Sequence, residues 1–273
     1  MKEVKGHNLT LALGSLSVSY NDLGEGNTPL IFLHGYPFDK SSWNGQLDAL
    51  QLVTRVIAYD IRGFGGSIDE DTAMSIDLFA DDLIRFMDAL HIERAIVCGL
   101  SMGGYIALNA QKRFPERFTG LILCDTQCNA DSPEGKANRY RAIEGIKSKV
   151  VTEFGEAFVK KVFAPASLES KKDVVEKVRQ VVLANSAPIM MAGLVALAER
   201  TESCSTLVNI SVPTLFLCGA DDAITPTAQS QFMHDKVTGS VLRIIENAGH
   251  VSNLEQPETF NFYIRDFLES VLV

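Results

Sequence analysis

With 273 residues, the chain is long enough to bury one substantial core, as a single α/β domain with an insertion or as two small domains. Hydrophobic residues make up 46% and charged residues 22%, which excludes wholesale disorder. Asp and Glu outnumber Lys and Arg by 34 to 25, and the net charge of −9 repels phosphate backbones and anionic headgroups. Nucleic acid and a membrane surface are therefore poor partners.

The N-terminal Met1-Lys-Glu-Val-Lys-Gly-His-Asn8 has no apolar core of the kind a secretory signal needs. Leu9–Leu13 and Leu16–Asp22 alternate around Gly14-Ser15 and predict an opening hairpin. Pro29–Leu33 is a continuous apolar run, as expected of a strand covered on both faces. His34-Gly35-Tyr36-Pro37 follows, a tight loop that can aim a backbone N–H at a developing oxyanion. Pro37 has no N–H to give, which assigns that donor to Tyr36. His34, beside a Gly turn, reads as a brace for the loop. A helix is expected over Ser42–Leu50 and a strand over Arg55–Tyr59. Asp60-Ile61-Arg62-Gly63-Phe64-Gly65 then reads as a structural turn held by an Asp60–Arg62 interaction. No Gly-x-x-x-x-Gly-Lys run exists, so a phosphate cradle is excluded.

After a helix over Ser75–Leu90 and a strand over Ala95–Cys98 comes the strongest signal, Gly99-Leu100-Ser101-Met102-Gly103-Gly104, leading straight into a helix over Met102–Phe114. A Ser between a strand and a helix sits on a sharp, strained turn that thrusts its hydroxyl out at the sheet edge. The helix N-terminus adds a field that favours negative charge, and the Met102 N–H becomes a second oxyanion donor.

The strand Gly120–Cys124 ends at Asp125, and from Gln127 to Val208 no strand pattern is found. Glu134–Lys149, Val151–Phe163, Lys171–Ala184 and Ala187–Arg200 carry apolar residues near helical spacing, punctuated by Pro133, Pro165 and Pro188. The reading is a helical cap, 127–208, over the C-terminal sheet edge where open α/β sheets bind ligands. The core is then 1–126 and 209–273. Phe154, Phe158, Phe163, Met190, Met191 and Leu194, with Ile224, are candidates to line a substrate pocket, although cap packing alone would use the same residues. The longest apolar stretch, Ala187–Ala198, is shorter than the about 20 residues a bilayer span needs.

Strands at Thr214–Cys218 and Val241–Ile245 and helices at Thr227–His234 and Pro257–Leu272 complete the alternation, which implies βαβ units and a mostly parallel sheet. A serine nucleophile needs a base. Of the five histidines, His7 precedes the first strand, His91 follows a helix end, and His234 falls late in a helix, where it is expected to be solvated. His250, in Asn247-Ala248-Gly249-His250, lies on a loop after the last strand, at the edge where Ser101 emerges. It is the base. The base in turn wants a carboxylate to fix its tautomer. Asp221, Asp222 and Asp125 all follow strands at that edge, and spacing alone does not separate them.

Taken in order, His34 to Pro37, Asp60 to Gly65, Gly99 to Gly104, Gly219 to Pro226 and Gly249-His250 resemble the landmarks of the α/β-hydrolase superfamily over nearly the whole chain. That resemblance implies the α/β-hydrolase fold: a mostly parallel central sheet flanked by helices, with a helical cap inserted after the sixth strand. It also chooses among the acids. The family carries its acid three residues after the Gly closing the strand and four before the Pro, which is Asp222 here. Ser101, Asp222 and His250 would then form the triad, and the Tyr36 and Met102 N–H groups the oxyanion hole. Cys98 to Gly104 looks like the elbow of 3-oxoadipate enol-lactonases, while the loop His34 to Pro37 looks more like the corresponding loop of cofactor-free haloperoxidases and related esterases. Ser rather than Asp at 101 argues against dehalogenases and epoxide hydrolases.

The implied activity is hydrolysis of small carboxylic esters or lactones through an acyl-enzyme, with no metal or organic cofactor. Ring-opening of the 3-oxoadipate enol-lactone type is the alternative within the superfamily, and carbon–carbon hydrolysis stays open. A receptor that binds a small molecule without turnover is the rival from another class. A homo-oligomer is compatible with the sequence. The five cysteines show neither metal nor redox spacing, and Cys98, Cys124 and Cys218 end apolar runs as buried thiols would. Free thiols without a signal sequence point to a reducing cytoplasm.

Overall fold

The computed structural model describes residues 5–69, 73–148 and 151–272. Among them, eight strands form one sheet: β1 (Gly6–Leu13), β2 (Leu16–Leu23), β3 (Leu30–Leu33), β4 (Val56–Tyr59), β5 (Ala95–Leu100), β6 (Phe118–Cys124), β7 (Thr214–Gly219) and β8 (Val241–Ile245). Their order across the sheet is β1-β2-β4-β3-β5-β6-β7-β8. β1 and β2 pair antiparallel, β2 pairs antiparallel to β4, and every pairing from β4 to β8 is parallel. His7, expected ahead of the first strand, is inside β1, because pairing with β2 carries on past the alternating segment to Gly6.

Strands β3, β4 and β5 are buried along their whole length, as continuous apolar runs require when helices cover both faces. Helix α1 (Asn44–Leu50), α2 (Ile76–Ala89) and α3 (Met102–Arg113) follow β3, β4 and β5 in turn. Ser75 caps α2 by accepting the Leu78 N–H at 3.0 Å, and the apolar face of that helix buries Phe79, Leu83, Phe86 and Met87. Trp43 packs tilted against Phe32, 4.8 Å between ring centroids, and also meets Phe260, tying the first and last helical segments to the sheet.

Between β6 and β7 the described residues contain no strand. Helices α4 (Pro133–Ser148), α5 (Val151–Val162), α6 (Pro165–Ser170), α7 (Lys172–Ala184) and α8 (Ala187–Ala198) fill that stretch, with α4 packed on α8 and α5 on α7. Lys149, expected to end the first of these helices, is outside the described residues. Helix α6 was invisible in the sequence because six residues cannot display helical periodicity. The chain closes with α9 (Thr227–His234), α10 (Ser252–Glu255) and α11 (Pro257–Val271), the last packing against α1. Among the described residues no single helix is long and apolar enough to cross a membrane.

Two expectations need correction here. Cys98, Cys124 and Cys218 are buried free thiols as read, but Cys128 and Cys204 form a disulfide at the foot of the helical insertion. They stand 76 positions apart, so nothing in their spacing marked the pair, and the thiol argument for a reducing compartment is lost. The turn after β4 is structural but is not held by Asp60 and Arg62 bonding one another. Asp60 accepts the Lys40 ammonium at 2.9 Å and the Lys40 N–H at 2.6 Å, while Arg62 makes two bonds of 2.7 Å to Asp82 on α2. Each buried charge has found a partner on a neighbouring element that sequence order does not reveal.

Candidate active site

Ser101 stands between β5 and α3 with φ 51° and ψ −111°, a conformation that strains any residue but glycine. The strain is held from several sides. The Ser101 N–H donates to the Cys124 carbonyl at 2.9 Å, and the Ser101 carbonyl accepts the Thr126 hydroxyl at 2.8 Å and the Gly104 N–H at 2.9 Å. A Cβ at Gly103 would run into the Leu33 carbonyl, and one at Gly99 into the backbone of Gly103. The glycines flanking the serine are thus required by close approach of β3, β5 and α3.

His250 comes to Ser101 from the loop after β8. Its Nε2 accepts the Ser101 hydroxyl at 2.8 Å, and its Nδ1–H donates to Asp222 Oδ2 at 2.8 Å. Asp222 also accepts the Ile224 N–H at 2.7 Å, the Thr225 N–H at 3.0 Å and the Thr225 hydroxyl at 2.7 Å. Burial works to raise the Asp222 carboxyl, but the His250 charge and these hydrogen bonds outweigh it and hold the carboxyl below its ordinary value. Burial likewise works against the imidazolium, and the charge and hydrogen bond of Asp222, with the charge of Asp125, leave His250 above its ordinary value. The structure therefore brings together Ser101, His250 and Asp222. Asp221 is exposed and joins the turn through its N–H, which donates to the Ala248 carbonyl. Asp125 is buried nearby but bonds Gly219 and Ser252.

His34 is the brace it was read as. Its Nδ1–H donates to the Gly35 carbonyl at 2.9 Å and its Nε2 accepts the Ile61 N–H at 2.9 Å, while complete burial holds the ring below its ordinary pKa, and so neutral. Gly35, the residue before Tyr36, packs so near Ser101 that a Cβ there would sit 3.3 Å from Ser101 Cβ. Met102, fully buried, opens α3, where the first N–H groups of a helix have no intrahelical acceptor. The remaining histidines lie elsewhere. His91 is exposed beyond α2, and His234, expected to be solvated, is half-buried against Phe216 with its Nδ1 2.8 Å from the Ser240 hydroxyl.

A family model described as the alpha/beta hydrolase fold matches residues 28–257. The chain belongs to the α/β-hydrolase family. This hydrolase is 33% identical over 253 residues to the 3-oxoadipate enol-lactonase 2 of Acinetobacter baylyi, covering 92% of this chain and 93% of that one. Among solved structures it is similar to a thermophilic esterase from Thermogutta terrifontis, at 34% identity and a TM-score of 0.90 over 94% of both chains. It is also similar to the enol-lactonase from Burkholderia xenovorans LB400, at 26% identity and a TM-score of 0.88 over 96% of this chain and all of the other.

In this α/β hydrolase, a cavity of about 420 Å³ is bounded by Tyr36, by Tyr105 on α3, by Ile224 two residues after Asp222, and by the helical insertion. Phe154, Phe158 and Leu194 line it as expected of pocket residues. Met190 and Met191 do not. Met190 is fully buried in the core, where its carbonyl accepts the Tyr36 hydroxyl at 3.0 Å, and Met191 packs half-buried against that core. Helix α8 is apolar all round, so its sequence could not tell which face meets the cavity. Phe163 is likewise buried core.

Sequence reasoning missed the polar half of the lining: Gln127, Asp131, Asn138, Arg139 and Lys161. Arg139 pairs with Asp131, which also receives Arg200 at 2.7 Å, and the Arg200 guanidinium lies over the Tyr105 ring at 4.4 Å. Charged residues on amphipathic helices ordinarily read as solvated faces, so no signal pointed them inward. A larger, mostly polar hollow of about 640 Å³, lined by Lys5, Glu25, Arg55 and His91 among others, contains none of the residues around Ser101.

Proposed function

We propose that this hydrolase cleaves small carboxylic esters or lactones through an acyl-enzyme on Ser101. The observation that carries the reading is the unbroken chain of hydrogen bonds from the Ser101 hydroxyl through His250 to Asp222, 2.8 Å at each step. His250 Nε2 takes the serine proton as Oγ attacks the carbonyl, and Asp222 holds the ring in the tautomer with a bare Nε2 and steadies the imidazolium. The Tyr36 and Met102 N–H groups receive the oxyanion. The imidazolium gives its proton to the leaving alcohol, which in a lactone stays attached as a new hydroxyl. Water deprotonated by His250 then releases the acid and restores the serine. Helices α4 to α8 act as the cap, and the cavity of about 420 Å³ beneath them suits a small acyl group.

A second reading within this chemistry is favoured by Arg139 and Lys161 in the cavity lining. Lys161, with Arg139 that Asp131 partly neutralises, stands beside the aromatic side of the lining and suits a lactone or ester that carries a carboxylate, as in ring-opening by the enol-lactonase relatives. The test is a hydrolysis screen across acyl lengths and lactones, with and without a free carboxylate, using Ser101→Ala as control. Many turnovers per site support an enzyme, and a single stoichiometric release would favour a receptor. A preference for carboxylate-bearing substrates that fades in Arg139→Gln would select the second reading.

A further inference from the structure

We propose that Asp125 is a positioning residue, a buried clasp that fixes the loop carrying Asp222 against the loop carrying His250. The inference rests on the proposed roles of Ser101, His250 and Asp222, and goes beyond them. Asp125 directly follows β6, which lies between β5, ahead of Ser101, and β7, ahead of Asp222. It is completely buried and lies at positive φ, 44°, a region that few non-glycine residues adopt and Asp more readily than most.

Its surroundings hold it in place. The Asp125 N–H donates to the Leu217 carbonyl at 2.9 Å. Its Oδ1 accepts the N–H of Gly219, the residue that closes β7 three positions before Asp222, at 2.8 Å. Its Oδ2 accepts the Ser252 hydroxyl at 2.5 Å and the Ser252 N–H at 3.3 Å, two positions after His250. One carboxylate thus receives three donors from two loops that are otherwise far apart in sequence. An amide in its place would turn an NH₂ group towards one set of those donors, leaving it unmet.

The clasp also bears a charge near the base. Asp125 faces Asp222 and His250, with the Cys124 and Cys218 thiols beside it. His250 in turn faces Asp222, Asp125 and, from α5, Lys161. Burial and the charge of Asp222 push the Asp125 carboxyl up to about 7. Its ionised form supports the imidazolium, so the clasp influences both the placement and the basicity of His250.

The test needs no knowledge of the substrate. The rate at which a fluorophosphonate labels Ser101 is measured against pH by intact mass, alongside the melting temperature. In Asp125→Asn the plateau rate is expected to fall on the order of 10- to 100-fold, as for displaced reacting groups. The acid midpoint should move to lower pH, because a negative charge that supported the imidazolium is gone. Ser252→Ala removes one donor from the far end of the clasp and should give a smaller loss in the same sense. Wild-type plateau and midpoint in Asp125→Asn, or a lowered melting temperature as the sole change, would overturn the proposal. Should Asp125→Asn fail to fold, Ser252→Ala decides, and an unchanged plateau there overturns it. Failure of the underlying reading looks different: the wild-type protein would not be labelled at Ser101 at all.

Discussion

Replacing Asp222 by Asn tests the proposed chemistry with the least change in shape. Asp222 Oδ1 accepts the Ile224 and Thr225 N–H groups, and Oδ2 accepts His250 Nδ1–H and the Thr225 hydroxyl. An Asn can orient its oxygen to either side. Turning its NH₂ towards the two backbone N–H groups would leave buried donors unmet, at about 1–3 kcal/mol each. The oxygen therefore stays with Ile224 and Thr225, and the NH₂ faces His250. A donor at that point selects the tautomer with a bare Nδ1, so that Nε2 carries the hydrogen and points it at Ser101. The base is then in place but unable to accept a proton. In a different Ser-His-Asp enzyme the same wrong tautomer costs about 10⁴ in kcat, close to 5 kcal/mol of barrier. Initial rates on a p-nitrophenyl ester, corrected for active-site concentration, measure the loss. Asp221→Asn, on the exposed neighbour, should stay near wild type. A loss below about tenfold, or an equal loss in Asp221→Asn, would refute the assignment of Asp222 as the orienting acid.

The remaining predictions concern pH, fold and substrate size. In the proposed mechanism only neutral His250 can take the serine proton, and Asp222 and Asp125 raise its pKa above 6.5, so kcat/KM should fall on the acid side with a midpoint above 6.5. A midpoint at or below 6.5 would contradict the pairing. The same raised pKa means that the stability contributed by His250 is fully present below pH 6.5 and is lost as the pH rises through the folded-state pKa, which a denaturation series against pH can follow. Gly103→Ala forces a methyl group into the Leu33 carbonyl and should cost about 1–3 kcal/mol in chemical denaturation. A neutral result would mean that β3 and α3 are not in close contact. Short esters, of roughly two to six acyl carbons, should beat long ones in kcat/KM, each accommodated methylene adding up to about 1–3 kcal/mol. Phe158→Ala, which enlarges the lining, should move the optimum to longer chains, whereas a wild-type optimum at about twelve carbons or more would mean an open groove.

The parts of this molecule that could be read from sequence are those where local pattern and chemistry coincide. Pro29–Leu33 and Ala95–Cys98 read as buried strands because they are apolar without interruption. Ser101 and His250 followed from their place just after strands, at the edge where parallel sheets present ligands. The acid was different. Asp125, Asp221 and Asp222 satisfy the same local rule, and only resemblance to a family chose Asp222; the hydrogen bond to His250 that distinguishes it joins distant loops. The cavity was half legible for a similar reason. Phe154 and Phe158 are apolar enough to be suspected, but Arg139 and Lys161 turn inward only because the packing of the insertion directs them there. The exchange of partners around Asp60 and Arg62, and the pairing of Cys128 with Cys204, are tertiary facts with no local trace.

That last pairing changes what a cut in the insertion can do. Cys128 and Cys204 hold the two feet of the insertion with their Cα atoms 4.8 Å apart, so the chain between them is a covalent ring. A protease that opens one exposed turn between Cys128 and Cys204 yields two polypeptides but not two particles. The nicked protein should migrate as one species on a denaturing gel until a reductant is added. Nor can the entering and leaving strands of the insertion drift apart independently while the bond is intact. Helices α4 to α8 thus enter and leave the core through one covalent junction, in addition to contacts such as the Tyr36 hydroxyl on the Met190 carbonyl.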